Sequence, residues 1–222
     1  DPSARNDLFS RLRLAMAARS TAFLVPQFRA QLSEAEDIAS TVEASSNFVF
    51  AKRLFVYEAA YLLAFSAWEN LLEQSFVRFL AGYRNTSGVI ALAPGIARPA
   101  TLASAVTLML GGKAYKLWHN PAHVISRGQG FMPNGPHQAV LTSAQVDIAD
   151  FAAIRHYIAH RTPDSRSKFV TAAQRLSGAA PFGTRAGRFL RSSTIDSVTG
   201  NSVTWLQRIC ADLERYAKQI AG

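Results

Sequence analysis

Apolar positions recur at helical spacing along most of the chain, and the breaks in that pattern predict where helices end. Leu8, Leu12 and Ala15 open a first helix. Pro26 is expected to break or kink it, since proline lacks an amide hydrogen and crowds the preceding turn. Phe28, Leu32, Ala35, Ile38 and Val42 carry the spacing on to residue 43, where Ser45-Ser46-Asn47 marks a turn. The strongest pattern runs from Lys52 to Tyr83. Tyr57, Tyr61, Ala64, Trp68, Leu71, Leu72, Ser75 and Phe79 form one broad stripe, with Glu58, Glu69, Glu73 and Arg78 off it or at its margins. Thr101 to Leu110 predicts a short apolar helix stopped by Gly111-Gly112.

Residues 111–138 are rich in Gly and Pro and read as an irregular insertion, of the kind that often carries function. Within it, Asn120-Pro121 predicts a cap and first-turn proline for a short helix through Ser126. Thr142-Ser143-Ala144-Gln145 reads as a capping box for a helix that reaches Arg161. Thr162-Pro163-Asp164 starts the next, and Ser177-Gly178 ends it. Residues 179–200 read as loop. Val203, Leu206, Cys210, Leu213, Tyr216 and Ile220 build a final amphipathic helix. No strand, repeat or dividing linker is expected. The prediction is a single all-α domain over residues 1–222: a helical bundle core at 50–222, an N-terminal helical extension at 1–45, and the Gly/Pro-rich insertion.

Composition narrows the function classes. Hydrophobic residues make up 49% of the 222, enough for a sizeable core. The formal net charge is +9 and the pI about 10.2, with 19 of the 24 basic residues arginine. The planar guanidinium binds two phosphate oxygens at once, so this bias points to a polyanion, most often nucleic acid. Cys210 is the only cysteine, which excludes a disulfide within the chain and a cysteine-based zinc site; it is expected to be a small buried hydrophobe. That usage fits a reducing, cytoplasmic setting. Neither a membrane span nor a signal peptide is expected: the stretch Pro99 to Gly112 is uncharged but too short to cross a bilayer.

The candidate chemistry sits in one helical turn, Ile154-Arg155-His156-Tyr157-Ile158-Ala159-His160. RNA can be cut without a metal when a base takes the 2′-OH proton, an acid protonates the leaving 5′ oxygen, and a cation stabilises the phosphorane. Histidine titrates near neutral pH and serves either proton-transfer role, while arginine supplies the fixed charge. The apolar residues from Val146 to Ala159 point nearly all round the helix, so its flanks are expected to be covered by other helices or a second subunit. Arg155 and His160 lie about 140° apart around the axis, which favours a site shared across a twofold.

The setting of this turn, in an all-α chain behind an aromatic-rich helix with Ala67-Trp68-Glu69-Asn70-Leu71-Leu72-Glu73, resembles the HEPN superfamily of helical ribonucleases. The family signature is Arg, a polar residue, three more residues and His, here Arg155, His156 and His160. Trp118-His119-Asn120-Pro121, Phe189-Leu190 and Trp205-Leu206 look similar to the larger prokaryotic members. The resemblance covers most of 50–220, and its one sharp motif is 154–160. It implies a metal-independent endoribonuclease without cofactor, acting on RNA as a homodimer. Such proteins often serve as toxins or anti-phage defence effectors, sometimes with an antitoxin-like partner. Arg155 and His160 would then be catalytic, with His156 orienting the phosphate or Arg155, or taking a proton itself. Thr162 stands where one branch of the family carries a modifiable tyrosine.

Other constellations compete. His119 and His123 form a second His-x3-His pair, and with His156 and His160 they offer a metal reading, although Pro121 is expected to separate the first two. His119, His123 or His137 would otherwise line an RNA path or sit in loops. Arg161, Arg185 and Arg188 are candidate phosphate contacts. Glu69 is either an ion-pair partner of Arg155, a group that tunes a histidine, or a helix-surface acid. The alternative to an enzyme is a non-catalytic helical RNA-binding or dimerisation module in a toxin–antitoxin or defence complex.

Overall fold

The computed structural model describes residues 19–179, 183, 185–196 and 198–222. The helix expected around Leu8, Leu12 and Ala15 lies outside them. Among the described residues there are nine helices: α1 (Leu24–Ala44), α2 (Phe50–Leu80), α3 (Leu102–Leu110), α4 (Pro121–Phe131), α5 (Pro136–Ser143), α6 (Gln145–His160), α7 (Pro163–Ser177), α8 (Ala186–Arg191) and α9 (Trp205–Ala221). Two small antiparallel hairpins accompany them, β1 (Arg84–Asn85) with β2 (Gly88–Val89) and β3 (Ser193–Ile195) with β4 (Ser202–Thr204). The fold is all-α. The hairpins replace the strand-free reading, and they hold themselves by turns: Asp196 accepts hydrogens from the Val198 and Thr199 amides.

The long helix α2 is the axis. Trp68, Tyr61, Phe65, Phe76 and Phe79 on it are buried, together with Phe28 of α1, Phe151 of α6 and Phe169 of α7. Leu24, Phe28, Leu32, Ala35 and Ala39 of α1 belong to the same core cluster, as does Cys210 of α9. Tyr61 donates its hydroxyl hydrogen to the Phe151 carbonyl at 2.7 Å and so ties α2 to α6.

Several local expectations are corrected. Pro26 does not break a helix; it sits in the first turn of α1, where an amide hydrogen would have no partner within the helix. The stretch at 111–138 is more ordered than its composition suggests. α4 runs past Ser126 to Phe131, and Pro136 opens α5. Gly128 suits this packing, since a Cβ there would lie 3.2 Å from the Gln138 amide nitrogen. Because α5 begins at Pro136, Thr142 and Ser143 are already helical and form no capping box. The Ser143 hydroxyl donates to the Val140 carbonyl, and Ala144 is the uncapped bend into α6. Residues 179–200 contain α8 and β3 among the described positions. By contrast, Thr162 caps α7 as expected by accepting from the Ser165 amide, and Gly178 ends that helix at φ 74°.

Candidate functional site

α6 presents its chemistry to solvent because its opposite side is anchored. Ile148, Phe151, Ile154, Tyr157 and Ile158 are buried, while Ala149, Ala159 and His160 are exposed and His156 is half-buried. Among the described residues the helix is therefore not covered on every side: Val146 is 54% exposed. The apolar count around the helix was inflated by alanines, which look apolar in sequence yet have little surface to bury.

Arg155 turns toward α2. Its Nη2 lies 3.7 Å from Glu69 Oε2, and the other carboxylate oxygen of Glu69 lies 3.3 Å from His119 Nδ1. One acid thus holds together α2, α6 and the segment leading into α4. All three side chains keep part of their surface in solvent, 28% for Arg155, 19% for Glu69 and 30% for His119. On α6, the rings of His156 and His160 lie one turn apart in a tilted contact, with centroids 4.5 Å apart. The pKa of His156 is held below the usual histidine value, first by partial burial and then by the positive charges of His160, Lys168, Arg155 and His119. His156 is therefore a neutral imidazole at neutral pH, able to accept a proton. Lys168, one turn into α7, is itself paired with Asp164 at 2.7 Å.

Sequence reasoning placed Arg155, His156, His160 and Glu69; in the structure Arg155 meets Glu69, His156 meets His160, and the charge of Arg155 reaches His156. The structure adds His119 and Lys168. The signal for His119 was available in Trp118-His119-Asn120-Pro121. Trp118 is buried with its ring edge on Phe76 at 5.6 Å, two turns beyond Glu69 on the same side of α2. Asn120 caps α4 by accepting from the Ala122 amide. His119 is pinned between those two fixed points.

The other candidate arginines lie elsewhere. Arg161 ends α6 at φ 51°, in the left-handed region, and its Nη2 lies 2.5 Å from Glu58 Oε2. Glu58, only 2% exposed, is not the marginal residue its position on the stripe implied; its second oxygen accepts from the Gly187 amide at 3.2 Å. This carboxylate ties α2 to α6 and α8. Arg185 donates to the Ala51 carbonyl, and the Arg188 guanidinium lies 5.7 Å from the Phe50 ring centre. Ala51 and Glu69 are about 27 Å apart along α2, so Arg185 and Arg188 stand well away from Arg155.

The histidine pairs do not converge. His123 is exposed on α4, and His137 belongs to the core between Phe76 and Phe79. Ser75 spends its hydroxyl hydrogen on the Leu71 carbonyl, so its oxygen accepts from His137 Nε2 at 3.0 Å, and the same N–H faces the Leu72 carbonyl at 3.1 Å. Burial lowers the His137 pKa to about 4. Among the described residues, no group of three or more His, Cys, Asp and Glu is placed to hold a metal ion. Among the same residues no helix is long and apolar enough to cross a membrane. Comparison with family models, curated proteins and solved structures found no match for this chain.

Proposed function

We propose that the chain is a metal-independent endoribonuclease of HEPN type, with Arg155, His156 and His160 as its catalytic residues. The observation that carries this reading is the contact of Glu69 with Arg155 and His119, whose charges, with that of the adjoining His160 ring, reach the half-buried His156. A neutral His156 takes the proton of the 2′-OH, whose oxygen attacks the adjacent phosphorus. His160 gives a proton to the departing 5′ oxygen. Arg155 stabilises the charge that gathers on the phosphorane, and Glu69 positions Arg155. The products are a 2′,3′-cyclic phosphate and a free 5′-OH.

Two copies related by a twofold fit this scheme. The face of α6 that carries His156 and His160 also carries Ala149, Ala152 and Ala153, so a second helix can approach it closely. On α2, the outward Phe55 and Leu63 are 59% and 53% exposed. Such pairing supplies each scissile phosphate with groups from both copies. The proposed setting is a toxin or defence effector in the cytoplasm, with an antitoxin-like partner as regulator.

The test is cleavage of total RNA in EDTA by the purified chain, with mapping of the cut ends. Arg155→Ala and His160→Ala are each expected to lower the rate by about 10²–10⁴-fold while size and thermal midpoint stay unchanged. Full activity in both variants sinks the mechanism. RNA binding that weakens with salt, without any turnover in the wild type, favours a non-catalytic RNA-binding module instead.

A further inference from the structure

A cleft of about 780 Å³ lies between the segment that follows α3 and the first turns of α4. Its size is within the range of small-molecule sites, about 300–1,000 Å³. Lys113, Tyr115, Lys116, His123 and Arg127 line it, and no acid does. Like charges crowd here: the Lys116 pKa is lowered first by desolvation and then by the charges of Lys113 and Arg127. The Arg127 guanidinium carbon lies over the Trp118 ring, 4.3 Å from its centre, and Arg127 donates to the Leu117 carbonyl. Its buried Nη1 has no hydrogen-bond partner among the described residues, and Glu73 of α2 is the acid whose charge reaches it. Tyr115 is 72% exposed, an aromatic ring held in water beside three cations.

Concentrated positive charge with no acid in the lining, next to an uncovered aromatic ring, is the chemistry that receives one nucleotide unit: cations for phosphate oxygens and a ring for the base. The cleft also joins the catalytic patch directly through the chain, because Leu117 and His123 flank His119, which contacts Glu69. We propose that this cleft seats a nucleotide of single-stranded RNA flanking the scissile phosphate, with Lys113 and Lys116 on its phosphate and Tyr115 stacked on its base. The choice of RNA as ligand rests on the reading above; the location rests on the cleft alone.

The probe is a fluorescent 2′-O-methyl single-stranded RNA decamer, which lacks the nucleophilic hydroxyl and is not cut. It is titrated into the full chain at several salt concentrations, with inorganic polyphosphate as a base-free competitor. Lys113 and Tyr115 are exposed and Lys116 is half-buried, and folding of the variants is checked by circular dichroism. Lys113→Ala/Lys116→Ala is expected to lower the slope of log affinity against log salt by about 1.4, the value for two lost phosphate contacts. Tyr115→Ala is expected to weaken the RNA by about fivefold or more while leaving polyphosphate unchanged, and Tyr115→Phe to bind normally. Unchanged RNA affinity in Tyr115→Ala, or an unchanged salt slope in the lysine variant, overturns the seat. A chain that binds the probe through these residues but never cuts cleavable RNA keeps the cleft and ends the catalytic reading. A chain that cuts RNA with the same KM in all variants does the reverse.

Discussion

Glu58 and Glu69 stand on the same helix, and each faces an arginine from the end of α6, yet they do different work. Glu58 is buried, and both its oxygens are taken, by Arg161 at 2.5 Å and by the Gly187 amide at 3.2 Å. Glu69 keeps part of its surface in water, and its contact with Arg155 is long at 3.7 Å. A short pair with backbone support holds elements in place. A long, hydrated pair orients a guanidinium without consuming its hydrogen-bonding capacity, which leaves donors free for a phosphate. The difference separates clamp from site more cleanly than residue type does, since both pairs are arginine with glutamate.

The histidines repeat the contrast and give its largest test. His137 is buried like Glu58, and His156 is half-open like Glu69. With a folded-state pKa of about 4 against an ordinary 6.5, His137 binds fewer protons folded than unfolded across that interval. Its contribution is fully present above pH 6.5 and is lost as pH falls toward 4, by about 3 kcal/mol. Urea unfolding between pH 7 and pH 4 should show this slope, and His137→Leu should flatten it. An unchanged slope in that variant would place the acid sensitivity elsewhere.

Next in size is the clamp. Glu58→Ala leaves the Gly187 amide without its acceptor and should cost about 2 kcal/mol in denaturant unfolding. Glu58→Gln, which can keep that bond, should cost less. Glu69→Gln should do the opposite: less than about 1 kcal/mol of stability, as for a hydrated pair, with a clear fall in RNA cleavage rate. Equal stability losses at the two acids would erase the distinction drawn between them. The smallest effect concerns the neighbours of His156. Lys168 helps hold its pKa down, so Lys168→Ala should raise it and move the acid limb of the cleavage pH profile toward higher pH. A shift toward lower pH would remove His156 from the role of base.

Much of the fold was legible in the chain, for reasons visible in particular residues. The stripe from Tyr57 to Phe79 became the buried axis because its period matches the helix and its side chains are large. Thr162, Pro163 and Gly178 set α7 correctly because caps are local interactions. Thr142 and Ser143 misled because a capping motif competes with whatever helix already contains it, and Pro136 had opened α5 upstream. The site was half legible. His156 and His160 are four residues apart, so helical spacing brings their rings together, whereas His119 reaches Glu69 only because Trp118 docks on Phe76 of a different helix.

What the sequence determined by itself is helical character, most helix ends, and one turn with an arginine and two histidines. These follow from periodicity and capping, which act over a few residues. Tertiary structure alone decided which charges are used up and which remain available. Burial and pairing depend on contacts between residues far apart in the chain: Arg161 is consumed by Glu58, and His137 is withdrawn into the core. Arg155, His156 and His160 are left partly or fully exposed.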